Sequence, residues 1–173
     1  MKNIAFTIIL FLLTLSQLFA KDFLYILDDK CIIELFNLAQ NHFKSSNINI
    51  YKDSRGIVLR LNFDYENNFP LNETKSIKKI EDFLAKINNP AIIEVHIDNF
   101  PEIYQTNLKK WEISTILANK IERTITEPYG TVEQERINSI GYGEFLPPKN
   151  TSNNGGKSLN RVDIIVLCNI SGE

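Results

Sequence analysis

The order of strand-like and helix-like runs constrains the fold more than any other feature of the sequence. In the run 56–64 (GIVLRLNFD), large apolar residues alternate with mostly polar ones. This two-residue period is typical of a strand with one buried face. In the run 73–87 (ETKSIKKIEDFLAKI), the apolar residues are three or four positions apart, which is typical of an amphipathic helix. This part of the chain is therefore predicted to form a strand followed by a helix.

The remaining runs continue the alternation. Residues 91–98 (AIIEVHID) predict a second strand and residues 109–125 a second helix, while 136–145 predict a short strand that ends at two glycines. Residues 160–170 (NRVDIIVLCNI) are apolar on both faces, which indicates a central strand. The inward row of the second helix is predicted to be Ser114, Ala118, Ile121 and Ile125. The predicted order is β-α-β-α-β-β, an α+β fold.

The first twenty residues have the layout of a secretory signal peptide. Lys2 precedes an apolar stretch from Ile4 to about Leu13, and a more polar segment leads to Ala20. We expect cleavage after Ala20. Leu18 is larger than signal cleavage usually tolerates, so an uncleaved membrane anchor is the alternative. Residues 21–54 are then predicted to be a helical lead-in.

Composition favours a single globular domain and excludes some partners. The 173 residues are 43% apolar and carry a formal net charge of −2, with lysines interspersed among the acidic residues. Such a surface has no electrostatic attraction for nucleic acid or an anionic membrane. We therefore predict no nucleic-acid partner.

Cys31 and Cys168 allow two interpretations. In an exported protein they could form one disulfide. Both lie in apolar surroundings, however, where a free thiol packs as a small core residue. The sequence favours two free core thiols, with a disulfide as the alternative.

Glu94, His96 and Asp98 alternate along the second strand and so are predicted to share one face. Residues two apart on a strand are about 6.6–7 Å apart, so all three side chains cannot easily bind one ion. The other histidine, His42, lies in a different predicted helix. A metal or hydrolytic site is therefore disfavoured, and no metal or cofactor is predicted.

Several motifs together resemble the OmpA-like domain of bacterial envelope proteins, most closely the version in the flagellar stator subunit MotB. They are IIEVHIDNFP, KKWEIS, INSIGYGEFLPPKN and GGKSLNRVDIIVL, in the family's order and spacing, with Phe63-Asp64 matching the end of its first strand. The resemblance implies an OmpA-like domain over residues 55–173, with a mixed sheet covered by helices on one side. It also implies a non-enzymatic, outer-membrane-associated periplasmic protein that binds peptidoglycan.

The same resemblance implies the site residues. Asp98 would take the ammonium of the diamino acid in the peptidoglycan stem peptide, with Asn99 beside it. Asn160 and Arg161 match the family's Asn-Arg-Arg motif, although one Arg is missing here. Phe63 belongs to the same predicted site.

Leu117 departs from the family, which usually has at this position an Arg that binds the carboxylate of diaminopimelate. Leucine cannot do this. Either the site has decayed, or the ligand lacks that carboxylate. A domain without wall binding would instead serve as a structural partner of another envelope protein; a metal-dependent enzyme is a third hypothesis. Residues 4–20 contain no acidic residue for ion conduction, so a stator subunit is not predicted.

Overall fold

The computed structural model describes residues 30–63, 74–98, 107–145 and 160–168. The predicted signal peptide and the Pro-, Asn- and Gly-rich loop that precedes residue 160 lie outside these ranges. Within them, no helix combines the length and apolar character that a membrane crossing requires.

Five strands form one mixed sheet. They are β1 (Asn49–Asp53), β2 (Gly56–Asn62), β3 (Ala91–His96), β4 (Ile137–Gly143) and β5 (Arg161–Leu167). Their spatial order is β1-β2-β5-β3-β4, in which β3 and β4 are parallel and all other neighbours antiparallel. The predicted mixed sheet is confirmed, and β5 lies at its centre as the apolar character of both its faces indicated.

Three helices cover one face of the sheet: α1 (30–42), α2 (Thr74–Leu84) and α3 (Lys110–Ile125). Alternate residues of β2, β3 and β5 form the buried face, and the apolar stripes of the helices pack on it. The strand residues are Ile57, Leu59, Leu61, Ala91, Ile93, Val95, Val162, Ile164 and Val166, and the helix residues include Leu35, Ala39, Ile77, Ile80, Leu84, Ala118, Ile121 and Ile125. The predicted inward row of α3 is buried throughout. The α+β class is confirmed.

β1 was not predicted from the sequence, and it lies inside the segment predicted to be a helical lead-in. β1 pairs with β2 as an edge strand, and Asn49, Tyr51 and Lys52 are exposed. An edge strand of this kind lacks the apolar alternation that identifies a buried strand. Leu35 and Ala39 of α1 belong to the common core, so the lead-in packs with the rest of the fold.

Cys31 and Cys168 form a disulfide, so the prediction of two free thiols was wrong. Their Cα atoms are 5.9 Å apart, and the bond joins α1 to the residue that follows β5. Apolar surroundings could not distinguish the alternatives, because the pairing depends on how α1 packs against an element 137 residues away. A disulfide is typical of proteins that mature in an oxidising compartment.

Two glycines let α3 lie directly on β4. A Cβ atom at Gly141 would be 2.1 Å from the backbone nitrogen of Thr115, and one at Gly143 would be 2.6 Å from that of Trp111. Gly143 also has a positive φ of 56°, which other residues rarely adopt. The close approach brings the start of α3 to the ends of β3 and β4.

Candidate binding site at the end of β3

The backbone of Asp98 is fixed from both sides where the chain leaves β3. Its N–H donates to Oδ1 of Asn160 at 2.8 Å, and its carbonyl oxygen accepts from Nζ of Lys110 at 2.7 Å. The preceding N–H, of Ile97, donates to the carbonyl of Gly143 at 2.8 Å. Contacts from β4, α3 and the residue before β5 therefore hold Asp98 in place.

The carboxylate of Asp98 is available to a ligand. The residue is exposed, and no side chain or backbone donor among the described residues hydrogen bonds to its carboxylate oxygens. A fixed backbone with an uncommitted, solvent-accessible carboxylate is an arrangement that can accept a charge-assisted hydrogen bond from a cation.

The structure brings together three of the five predicted site residues. Asn160 bonds Asp98 through its side chain, and its carbonyl accepts from the N–H of Phe63 at 3.1 Å. Phe63 and Asn160 are both buried, so they support the site from the interior of the fold. Asn99 lies outside the described residues. Arg161 is buried on the sheet, and its Nε donates to Oδ2 of Asp163 at 3.0 Å.

Leu117 is part of the hydrophobic core, with 8% of its surface exposed. Its side chain extends the apolar stripe of α3 toward the sheet. No guanidinium is available at this position to receive a ligand carboxylate.

Two charged residues of the site were missed by the sequence analysis. Nζ of Lys110 donates to Oε2 of Glu144 at 2.7 Å while it also bonds the Asp98 carbonyl. Both residues stand in motifs that carry the family resemblance, KKWEIS and INSIGYGEFLPPKN. Motif position could have drawn attention to them, but only the packing of α3 on β4 shows that their side chains meet.

A charged cluster lies on the sheet face opposite the helices. Asp163 accepts two hydrogen bonds from Arg60, at 2.6 and 2.8 Å, and a third from Arg161. Burial alone would lower the pKa of Arg60, but its hydrogen bonds and charge interaction with Asp163 raise it above the usual value. Burial lowers the pKa of the Arg161 guanidinium, and its interactions with Asp163 only partly oppose this.

Glu94 and His96 belong to this cluster, whereas Asp98 does not. Glu94 is the cross-strand partner of Asp163, and its Oε1 accepts from Nη1 of Arg55 at 3.0 Å. Asp98 follows the end of β3 at His96 and is exposed. The row divides into a buried part and an exposed end.

Glu94, His96 and Asp163 offer ligand atoms that lie within 4.8 Å of one another, which makes the cluster a candidate metal site. Nε2 of His96 is buried without a hydrogen bond and lies 3.9 and 4.0 Å from the two carboxylates. Three guanidinium groups already bind these carboxylates, however. A divalent cation would have to compete with these guanidinium groups for the carboxylate oxygens. The electrostatics favour a structural role.

The described residues define the class of this chain as an α+β domain built on a mixed five-stranded sheet. A comparison with models of known protein families finds no match. Outer membrane porin F of Pseudomonas aeruginosa is 27% identical over 110 residues, which cover 60% of this chain and 30% of the porin. The chain thus spans under a third of that relative's length.

Solved structures confirm the resemblance to MotB and OmpA-like domains at the level of fold. A MotB-like protein from Desulfovibrio vulgaris has a TM-score of 0.65 at 17% identity, covering 87% of this chain and 99% of that one. The cell wall anchor of the T6SS from Pseudomonas aeruginosa has a TM-score of 0.57 at 17% identity, with coverages of 78% and 97%. The periplasmic domain of Helicobacter pylori MotB (residues 78–256) has a TM-score of 0.55 at 19% identity, with coverages of 72% and 83%. One of these similar structures is a cell wall anchor, and another is a periplasmic domain.

Proposed function

We propose that the chain is a periplasmic cell-envelope protein that binds peptidoglycan non-covalently, without catalysing a reaction. In this proposal Asp98 takes the ammonium of the diamino acid in the stem peptide. The observation that carries the proposal is the exposed carboxylate of Asp98, which accepts no hydrogen bond from the described residues, on a backbone fixed by Asn160 and Lys110. Similarity in fold to a cell wall anchor supports it.

The physical chemistry of the site suits an ammonium ligand. Because the Asp98 backbone is already ordered, binding costs little further conformational entropy there. Charge-assisted hydrogen bonds are shorter and stronger than neutral ones. Asn160 uses its side-chain oxygen to orient Asp98, which gives this matched motif residue a positioning role. Asn99 remains part of the proposed site.

The second candidate is an OmpA-like domain that no longer binds the wall and serves as a structural partner of another envelope protein. The burial of Leu117 in the core favours this candidate, since the position offers a ligand no polar group. Incubating the purified protein with sacculi and sedimenting them separates the two. Retention supports wall binding, whereas a folded protein left wholly in the supernatant supports the structural role.

Export is the first testable prediction. If residues 1–20 are a signal peptide, the mature protein begins at Lys21 and is recovered from periplasmic or wall fractions. The disulfide between Cys31 and Cys168 agrees with maturation outside the cytoplasm. Mass spectrometry of the protein from each fraction checks the prediction; an intact Met1 in the membrane fraction would show the anchor instead.

A second prediction concerns Leu117. Leu117→Arg should strengthen binding to diaminopimelate-containing fragments by about 1–3 kcal/mol, because a guanidinium could extend from the apolar stripe and pair with the ligand carboxylate. The wild type should prefer fragments with ornithine or lysine, which leave no carboxylate unpaired. Calorimetric titration of both proteins with both kinds of fragment measures this.

Leu117→Gln is the matched control, since it loses the same apolar contacts without adding charge. Equal affinity of the Arg and Gln variants for the diaminopimelate fragment would contradict the charge argument. If the wild type binds neither fragment and the Arg variant gains nothing, the site has decayed and the structural role is preferred.

A further inference from the structure

Three charged residues, Asp98, Lys110 and Glu144, lie at the end of β3. Lys110 lies between Glu144 and the backbone of Asp98, so two carboxylates accompany one ammonium. We infer that Glu144 is the second carboxylate of this site and determines its specificity. It favours a ligand end that carries an ammonium alone over one that carries an ammonium and a carboxylate. This inference rests on the proposed function, because it concerns the ligand of Asp98.

Geometry places Glu144 next to the expected ligand position. Its Oε2 and the carbonyl oxygen of Asp98 each lie 2.7 Å from Nζ of Lys110, so these oxygens are at most about 5.4 Å apart. Glu144 follows β4, which is the parallel neighbour of β3, so the two chain ends emerge side by side. A ligand group that contacts the carboxylate of Asp98 is therefore within the field of Glu144.

Lys110 does not offer a free cation to a ligand carboxylate. An ammonium group has three donors, and two are already used by the Asp98 carbonyl and by Glu144. A ligand carboxylate could reach Lys110 only by replacing Glu144, which exchanges one carboxylate contact for another. The nearby guanidinium of Arg161 is buried and bound to Asp163. Neither Lys110 nor Arg161 is therefore an uncommitted cation for such a carboxylate.

Charge balance then separates the two ligand classes. The carboxylates of Asp98 and Glu144 exceed the ammonium of Lys110 by one negative charge. An ornithine or lysine side chain ends in a single positive charge and neutralises this excess. The end of diaminopimelate carries an ammonium and a carboxylate, so the excess remains, and its carboxylate faces Glu144. Like charges at this range disfavour binding.

The test is Glu144→Gln, which keeps an oxygen that can accept from Lys110 while it removes the charge. Full-length mature wild type and variant are titrated by calorimetry with stem-peptide fragments containing either ornithine or diaminopimelate. We expect affinity for the ornithine fragment to fall and affinity for the diaminopimelate fragment to rise, each by about two- to fivefold, the scale of exposed charge interactions. The ratio of the affinity for the ornithine fragment to the affinity for the diaminopimelate fragment should therefore decrease. The decrease should be larger at low salt. Glu135→Gln, at the opposite end of β4, is the matched control and should leave the ratio unchanged.

The possible outcomes separate this inference from the proposed function. If the wild type binds and Asp98→Ala does not, but Glu144→Gln leaves the preference ratio unchanged, Glu144 has no role in specificity and wall binding stands. A wild type that prefers the diaminopimelate fragment also overturns the role of Glu144. If the wild type binds neither fragment, the proposed function fails, and this inference fails with it.

Discussion

Asp98→Ala should abolish most retention of the protein by sacculi while the fold stays intact. The variant removes the carboxylate that we propose binds the ligand ammonium, and a lost charged hydrogen bond costs about 1.5–3 kcal/mol of binding free energy. This corresponds to about a 10- to 150-fold weaker interaction. The carboxylate makes no hydrogen bond to the described residues, and the contacts of Asp98 with Asn160 and Lys110 are made by its backbone. Stability should therefore change little.

The measurement compares sedimentation with sacculi whose stem peptides contain ornithine and, separately, diaminopimelate. Asp98→Asn distinguishes charge from shape, since it keeps the side-chain volume and should lose most of the binding as well. Asp82→Ala is the matched control, because Asp82 is a half-exposed carboxylate on α2 away from the site. Undiminished retention of Asp98→Ala would remove the proposed role of Asp98.

Much of the fold could be predicted because its central elements have strong periodic patterns. β2 alternates Ile57, Leu59 and Leu61 with more polar residues, and these three side chains are buried as the pattern indicated. The inward row of α3 follows from the same reasoning with a helical period. Such patterns report burial directly, because they arise from one apolar face that must be covered.

The missed features depend on contacts between distant segments. β1 is an edge strand, so few of its side chains needed to be apolar. The disulfide requires α1 to meet the end of β5. Similarly, motif position could identify Asp98 as a site residue, but neither Lys110 nor Glu144 could be placed beside it without the packing of α3 on β4.

The polar row shows a further limit of strand periodicity. Glu94, His96 and Asp98 have the same spacing in sequence, yet the first two are buried and the third is exposed. The pattern assumes that the strand continues, whereas β3 ends at His96. The buried pair then joins Asp163 on the neighbouring strand. Asp163 belongs to β5 and not to this sequence row, so the sequence pattern could not include it in the cluster.

Asp163→Ala should destabilise the protein by about 3–5 kcal/mol, which is the range measured when one partner of a buried ion pair is removed. Asp163 is 4% exposed and accepts from both Arg60 and Arg161. Without it, the guanidinium of Arg161 remains buried, where desolvation already lowers its pKa. The loss should appear as a lower midpoint of urea unfolding. Asp82→Ala, which removes a half-exposed carboxylate 3.7 Å from Lys78, should cost less than about 1 kcal/mol.

The double variant Asp163→Ala/Arg60→Met tests the cause of the loss. If the cost comes from leaving guanidinium groups without a counter-charge, removing one of them should restore part of the stability, so the two substitutions should not be additive. Additive losses would show instead that Asp163 acts through packing alone. At a temperature where Asp163→Ala is still folded, its retention by sacculi should equal that of the wild type. Because the carboxylate proposed to bind the ligand belongs to Asp98, weaker retention of the folded variant would place the buried cluster inside the binding site.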